Sequence, residues 1–208
     1  MPAFFDLHLH TSRHSPDSSI NPFSLLQRAR ELRLDGVVIT EHDFLWSDEE
    51  LEELRAAVPQ VKVFAGMEVT AREGHFLCYG VKEPLQLVKG IGVAELCREL
   101  RRQGGAVVAA HPFRWNQPFA DILNEHQPEL DGMELMTTNM DAECRQKAEQ
   151  IWKTRGGAAL GDSDAHVEEK IGNCYTEFKD IIRDEHDLIE ALRSGATTPH
   201  DRMLEKGS

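Results

Sequence analysis

The chain has 208 residues, 40% apolar and 28% charged, with a net charge of −13 when histidines are neutral. That length and apolar content suit one domain with a real core and exclude a disordered chain. The acidic balance argues against long nucleic acid or an anionic membrane as partner, but not against a small phosphorylated substrate neutralised by local cations.

"AFFDLHLH" reads as a first strand. "NPFSLLQRARELRLDG" reads as a helix, with Asn21 as N-cap, Pro22 at the first helical position, Leu25, Leu26, Ala29 and Leu32 on one face, and Gly36 just beyond its end. "GVVIT" is a second strand and "SDEELEELRAAV" an acidic helix starting from Ser47. "KVFAGMEVT" and "HFLCYGV" are strands three and four. The four residues "AREG" between them suffice only for a hairpin or tight bend, so this pair can be antiparallel. A helix ("VAELCRELRRQGG"), a strand ("AVVAAHP"), a short helix ("PFADILNEH") and a strand ("DGMELMT") follow. Next come a helix capped by Asp141 ("DAECRQKAEQIWKTRGG") and a strand ("AALGDSDAH"). "NCYTEF" is a further strand, and "DEHDLIEALRSG" a closing helix capped at Asp184 and stopped at Gly195. The alternation implies parallel β-α-β units, and apolar strands such as "VVIT" and "AVVAA" fit burial on both faces. About seven such strands can close into a barrel. One domain over residues 1–203 is expected, with a disordered tail at 204–208.

No basic leader precedes an apolar run, and no window approaches 18 apolar residues, so neither a signal peptide nor a membrane span is expected. Cys78, Cys97, Cys144 and Cys174 are widely spaced with no CxxC, which suits reduced thiols in a cytoplasmic protein.

The polar residues recur at one kind of place. His8 and His10 end the first strand; Glu41, His42 and Asp43 follow the second; Glu68 ends the third; and His75 opens the fourth. His111 follows "AVVAA", and Asp162, Asp164 and His166 follow "AAL". Most of these are carboxyl ends of strands, which surround the active site in parallel α/β folds, so distant residues converge on one mouth. A single histidine has an ordinary reading as a hydrogen-bonded residue. Five strand ends bearing His, Asp or Glu do not. His8 and His10, two residues apart, share one strand face and can reach one ion with bonds of about 2 Å. Imidazole mixed with carboxylate suits zinc, iron or manganese, and the candidates are too many for one tetrahedral ion. Two or three divalent ions are expected, a set that activates water and clamps both oxygens of an in-line phosphoryl displacement. No GxSxG, P-loop or complete dinucleotide-binding glycine pattern competes.

The segments "DLHLHTSRHSPDSS", "VITEHD", "GMEVT", "GHFLCYG", "AAHPFRW" and "LGDSDAH", in this order over residues 6–166, resemble the polymerase and histidinol phosphatase (PHP) superfamily. The trailing "IGNCYTEF" and "DLIEALRSG" look like the segment that often follows in that family. The resemblance implies an α/β fold, a distorted (β/α)7-like barrel with a trinuclear site at the carboxyl ends of its strands. It implies His8, His10, Glu68 and Asp164 on one ion, Glu68 bridging to a second held by His75 and His111, and Asp17, His42 and His166 on a third. It further implies phosphoester hydrolysis by a hydroxide bridging the ions, with Glu68, His42 and Asp164 as catalytic residues. Asp6 would support the first histidines.

One departure is visible. The family usually places its aspartate five or six residues after the second histidine, whereas Asp17 lies seven after His10 and His14 intervenes, so either can complete the third site. Arg114, three residues after His111, can hold a substrate phosphate or form a surface ion pair. Trp115 and Phe113 pack or stack on a base. Lys170, Asn139 and Glu134 do not rise above other polar residues, and His126, His186 and His200 read as surface residues in or beside helices. The alternatives to a small-molecule phosphoesterase are an exonuclease on short oligonucleotides, a tyrosine-phosphatase-like enzyme of the same superfamily, which needs a pocket deep enough for an aryl group, and a non-catalytic, metal-stabilised scaffold. Substrate, metal identity and oligomeric state are left open.

Overall fold

The computed structural model describes residues 1–86 and 88–205. In these, nine strands and seven α-helices follow one another: β1 (Ala3–Leu9), α1 (Pro22–Glu31), β2 (Gly36–His42), α2 (Asp48–Ala57), β3 (Lys62–Ala71), β4 (Gly74–Tyr79), α3 (Val93–Gln103), β5 (Ala106–Ala109), α4 (Phe119–His126), β6 (Gly132–Met136), α5 (Ala142–Arg155), β7 (Ala158–Gly161), β8 (Cys174–Phe178), α6 (Glu185–Ser194), β9 (Thr197–Asp201) and α7 (Arg202–Glu205). Residues 206–208 of the expected tail lie outside the described residues.

Local chemistry sets most boundaries. Asn21 accepts hydrogen bonds from the N–H groups of Phe23 and Ser24, Ser47 and Glu50 cap α2 reciprocally, and Asp141 and Asp184 cap α5 and α6. Gly36 does not stop α1, contrary to expectation. Arg33 makes the left-handed turn instead (φ 60°), and Gly36 opens β2 beneath the Phe5 ring, where a Cβ would overlap that ring.

The strands form one sheet in the order β7-β6-β5-β4-β3-β2-β1-β8-β9. The runs β1-β2-β3 and β5-β6-β7 are parallel, and β4 is antiparallel to both β3 and β5. On the other side of β1, β8 and β9 are antiparallel to their neighbours. The hairpin after β3 therefore forms as its short connection requires, and the sheet is mixed rather than wholly parallel.

The two ends of the sheet approach each other, giving a nearly closed barrel. Ala159 N–H donates to Thr197 Oγ1 (2.9 Å) and Gly161 N–H to Thr176 Oγ1 (3.1 Å). A Cβ at Gly161 would sit 2.9 Å from both Tyr175 O and His200 N, so the seam needs a glycine. Just past β7, Ala165 bridges to Leu9. The sequence reading missed β9, and His200 lies in it, two residues before α7.

Two apolar clusters lie between the sheet and its outer helices, and a third fills the interior. Phe5 and Leu7 join this interior cluster with Val38, Leu77, Tyr79, Val108, Leu160 and Phe178, and Leu188, Ile189 and Leu192 of α6 plug its lower end. Leu9 instead belongs to an outer cluster with α1 and α2. The β1–β2 register slips between Asp6 and Leu9. That bulge switches which side chains face inward, so His8 and His10 enter the barrel above an apolar floor.

Candidate metal centre

Above this floor the interior turns polar. His8, His10, Glu68, His111, Glu134 and Asp164 are all buried, delivered by β1, β3, β6 and the ends of β5 and β7. β4 runs the opposite way, so His75 reaches the same rim from near its start.

One group joins His8, His10, Glu68 and Asp164. His8 Nε2 lies 3.1 Å from His10 Nε2 and 3.4 Å from both Glu68 Oε2 and Asp164 Oδ1. His10 Nε2 lies 3.2 Å from Glu68 Oε2 and 3.6 Å from Asp164 Oδ1. A tetrahedral ion with bonds of about 2.0–2.1 Å has ligand–ligand edges of about 3.3 Å. A second group uses the other oxygen of Glu68: Oε1 is 2.9 Å from His75 Nδ1 and 3.0 Å from His111 Nε2. In a third, Asp17 Oδ2 lies 3.2 Å from His42 Nε2 and 3.3 Å from His166 Nε2. The His10 ring is stacked between those of His42 and His166, at 4.2 and 4.3 Å, and the nitrogens of these three fall within 4.8 Å of one another.

Hydrogen bonding tests whether cations fit. His8 Nδ1 donates to Glu134 Oε1 (2.9 Å), the only direction a proton between them can run. His10 Nδ1 lies 3.3 Å from Ser15 Oγ, whose own hydrogen goes to Glu41. Both outer nitrogens are thus engaged, and in the neutral rings both Nε2 lone pairs face the carboxylates. Glu68 Oε2 is ringed by His8, His10 and His42, the last at 2.9 Å, yet finds no aligned hydrogen-bond partner although it is buried. Buried polar atoms rarely go unpaired, and a positive ion at this point would satisfy Glu68 Oε2 and the His8 and His10 nitrogens at once, whereas one proton serves one or two.

Charge tells the same story. Burial disfavours the ionised forms, but His8 is raised well above its ordinary pKa by Asp164, Glu134 and Glu68. Glu68 is held well below the ordinary carboxylate range against its own burial, by the charge of His8 and hydrogen bonding from neighbouring imidazoles. Asp164 is lowered likewise, His8 again being the main opposing influence to burial. The pocket attracts positive charge.

The surroundings anchor these groups. Asp164 Oδ2 accepts from Arg114 Nη1 (2.9 Å) and Asn139 Nδ2 (2.8 Å), and Lys170 Nζ donates to Asn139 Oδ1 (2.7 Å). Glu134 accepts from His8 and from the His111 N–H. Of these four, Glu134, Asn139 and Lys170 do not stand out in the sequence. A lone carboxylate at an inward position of the apolar strand "GMELM" was the available signal for Glu134; for Asn139 and Lys170 there was none.

The remaining candidates sort plainly. His14 Nε2 turns to Glu50 (2.8 Å) and its ring stacks on Phe44, leaving Asp17 as the group that faces His42 and His166. Glu41 accepts from Thr11, Ser15 and Trp46, and its bonds shape the loop that carries Asp17 back to the mouth. Asp43 accepts from Thr70 N–H, clipping β2 to β3. Asp6 accepts from the backbone of Ser163 and Gly172, just before Asp164 and before β8. His126 and His186 are exposed, and His200 pairs with Glu177 across β8–β9.

A family model described as PHP-associated matches residues 143–197. The chain is 28% identical over 141 residues to an uncharacterized protein of Methanocaldococcus jannaschii, an alignment covering 62% of this chain and 79% of that one. The fold is similar to a two-domain protein of Bacteroides vulgatus containing a predicted PHP-like metal-dependent phosphoesterase (TM-score 0.74, 20% identity, 97% of this chain and 65% of that one). It is also similar to the lesion-specific endonuclease PfuEndoQ of Pyrococcus furiosus (TM-score 0.65, 16% identity, 96% of this chain and 58% of that one). This chain spans less than two thirds of the length of either structure.

Proposed function

We propose that this chain is a PHP-type hydrolase that cleaves a small phosphoester using two or three divalent ions, a reading supported by the PHP-associated match over residues 143–197 and by the fold's likeness to a protein containing a predicted PHP-like phosphoesterase. The observation that carries the reading is Glu68, whose two oxygens face two different histidine pairs inside one barrel. His8, His10, Glu68 and Asp164 would hold one ion, Glu68, His75 and His111 a second, and Asp17, His42 and His166 a third. Zinc, manganese and iron all suit this donor set. When bound, such ions activate water and neutralise charge developing on a phosphoryl group.

The protein's own groups do the rest. Glu134 and Ser15 orient His8 and His10, while Arg114 and Asn139 fix Asp164. Arg114 spends Nη1 on Asp164, and its remaining donors are available to a phosphate oxygen. Beside it lies a cavity of about 260 Å³ lined by Thr70, Arg72, His75, His111, Arg114 and Trp115. That is just below the roughly 300–1,000 Å³ of ordinary small-molecule sites, which favours a metabolite- or mononucleotide-sized ester over a polymer. The endonuclease among the structural neighbours keeps a short-oligonucleotide substrate as the second reading, against which the net charge of −13 counts. Four free thiols and the lack, among the described residues, of a helix able to cross a membrane accord with the cytoplasmic setting we propose.

The test combines metal analysis with turnover. Protein purified without chelator should carry two or three Fe, Mn or Zn ions per chain and release alcohol from p-nitrophenyl phosphate, its bis ester or a nucleotide, and chelator should stop it. Bound metal with no turnover on any ester would favour the scaffold reading. A protein that takes up no metal would remove the basis of the proposal.

A further inference from the structure

The segment from His111 to Asn116 carries four non-glycine residues with positive φ: His111 (29°), Phe113 (69°), Trp115 (53°) and Asn116 (58°). Each such residue costs of order 1 kcal/mol or more, and such strain collects where a loop is held for function. Phe113 packs inward, edge-on to Phe119 at 5.6 Å. Trp115 does the opposite and is 68% exposed. A tryptophan left in water beside a polar cluster is unusual for packing alone.

Its surroundings are specific. The indole stands at 73° to the rings of both His75 and His111, with centroids 5.7 and 5.5 Å away. The Arg114 guanidinium lies over it, its carbon 4.1 Å from the centroid. The same guanidinium reaches Asp164. Trp115 is thus a wall of the cavity that holds His75, His111 and Arg114, tied to the cluster on one side and open on the other.

Resting on the phosphoester reading, we propose that Trp115 is a stacking platform that selects esters whose phosphorylated alcohol carries a planar aromatic ring. With a phosphate at Arg114 and the cluster, a ring borne close to phosphorus is brought alongside the open part of the indole. Offset stacking rewards that ring beyond its apolar area, and a saturated ring of similar bulk receives only the area. The platform is sequence-tolerant with respect to the ring, because any aromatic has a π-face.

Phosphonates provide non-hydrolysable probes that separate these effects. Phenylphosphonate and cyclohexylphosphonate share a headgroup and differ in aromaticity, and adenosine 5′-phosphonate sets its ring one sugar away. Their binding is followed on zinc-loaded protein by calorimetry and through the Trp115 indole N–H resonance, assigned with Trp115→Phe. Phenylphosphonate should shift that resonance upfield and bind about tenfold more tightly than the cyclohexyl analogue, a preference worth about 1.4 kcal/mol. Trp115→Phe should retain the preference and Trp115→Ala should erase it. A shift with adenosine 5′-phosphonate alone would support the platform and identify a nucleobase as the ring.

Equal binding of all three probes with an unmoved indole resonance would overturn the platform and leave the phosphoesterase reading intact. A Trp115→Ala protein that weakens the phenyl and cyclohexyl probes equally would overturn it too, since the ring would then only support the loop. Failure of every phosphonate and of inorganic phosphate to bind would overturn both readings.

Discussion

Glu134 accepts the Nδ1 proton of His8 at 2.9 Å, and that contact decides which nitrogen of the ring faces the cluster. The same carboxylate accepts the backbone N–H of His111, so one buried side chain orients parts of two proposed metal positions. In Glu134→Gln only one amide oxygen is left to serve two donors. Metal affinity should fall about 10- to 100-fold, the usual effect of losing a ligand's orienting partner. Competition against a chromophoric chelator measures it, and an unchanged affinity would remove Glu134 from the site.

Asp164 is held twice, by Arg114 and by Asn139 with Lys170 behind it. Each anchor should therefore cover for the other. Arg114→Ala should raise KM for a phosphomonoester with metal content nearly unchanged, and Asn139→Ala should affect both modestly. The double variant should lose metal by more than the two single losses combined, because residues sharing a partner couple. Simple additivity in metal titrations would show that the anchors act independently.

In the metal-free protein His42 is lifted to about 9: burial alone would lower it, but Glu68, then Asp17, overcome that. Its folded value exceeds the ordinary 6.5, so its contribution to stability is complete below pH 6.5 and is lost as pH rises through about 9. Metal ions compete with these protons, so the loaded protein should have the opposite trend and lose its ions as pH falls. The Tm of chelator-treated protein should decline between pH 6.5 and 9, while the extra stability from metal grows. A metal-induced gain in Tm that stays constant over that range would contradict this competition.

The thiols offer a simple check on the interior. Burial raises Cys97 to about 12 and pushes Cys78 and Cys174 up as well. Cys144, on α5, is raised too, by burial and by Asp141, but it is only part-buried and is the most accessible of the four. Ellman's reagent at pH 8 should modify one thiol readily in the native protein and four after denaturation. Rapid modification of two or more native thiols would mean that the clusters open more easily than their packing implies.

Much of the site was legible because strand ends announce themselves. "HLH", "EHD", "GME" and "DSDAH" each place polar residues just where an apolar run stops. Asp17 was harder: it lies seven positions after His10, and only the Glu41 hydrogen bonds show how the loop curls back. Glu134, Asn139 and Lys170 act through partners 23 to 126 residues away, a relationship that no local pattern records. The strand "TTPHD" escaped notice because a closing strand with one partner face carries little apolar signal. The hairpin of β3 and β4, by contrast, followed from the length of its connection.

The bulge in β1 has a consequence for how this chain tolerates change in length. Strand side chains have a period of two, and the two halves of β1 run in opposite phase across one slip. Deleting or inserting a single residue between Asp6 and Leu9 would bring the halves into step. His8 and His10 would then turn toward the helices, or Phe5 and Leu7 toward them, and either the cluster or the floor would be lost. An indel elsewhere in the connecting loops disturbs one loop; here it exchanges the barrel's interior for its exterior, so natural length variation should avoid these few residues.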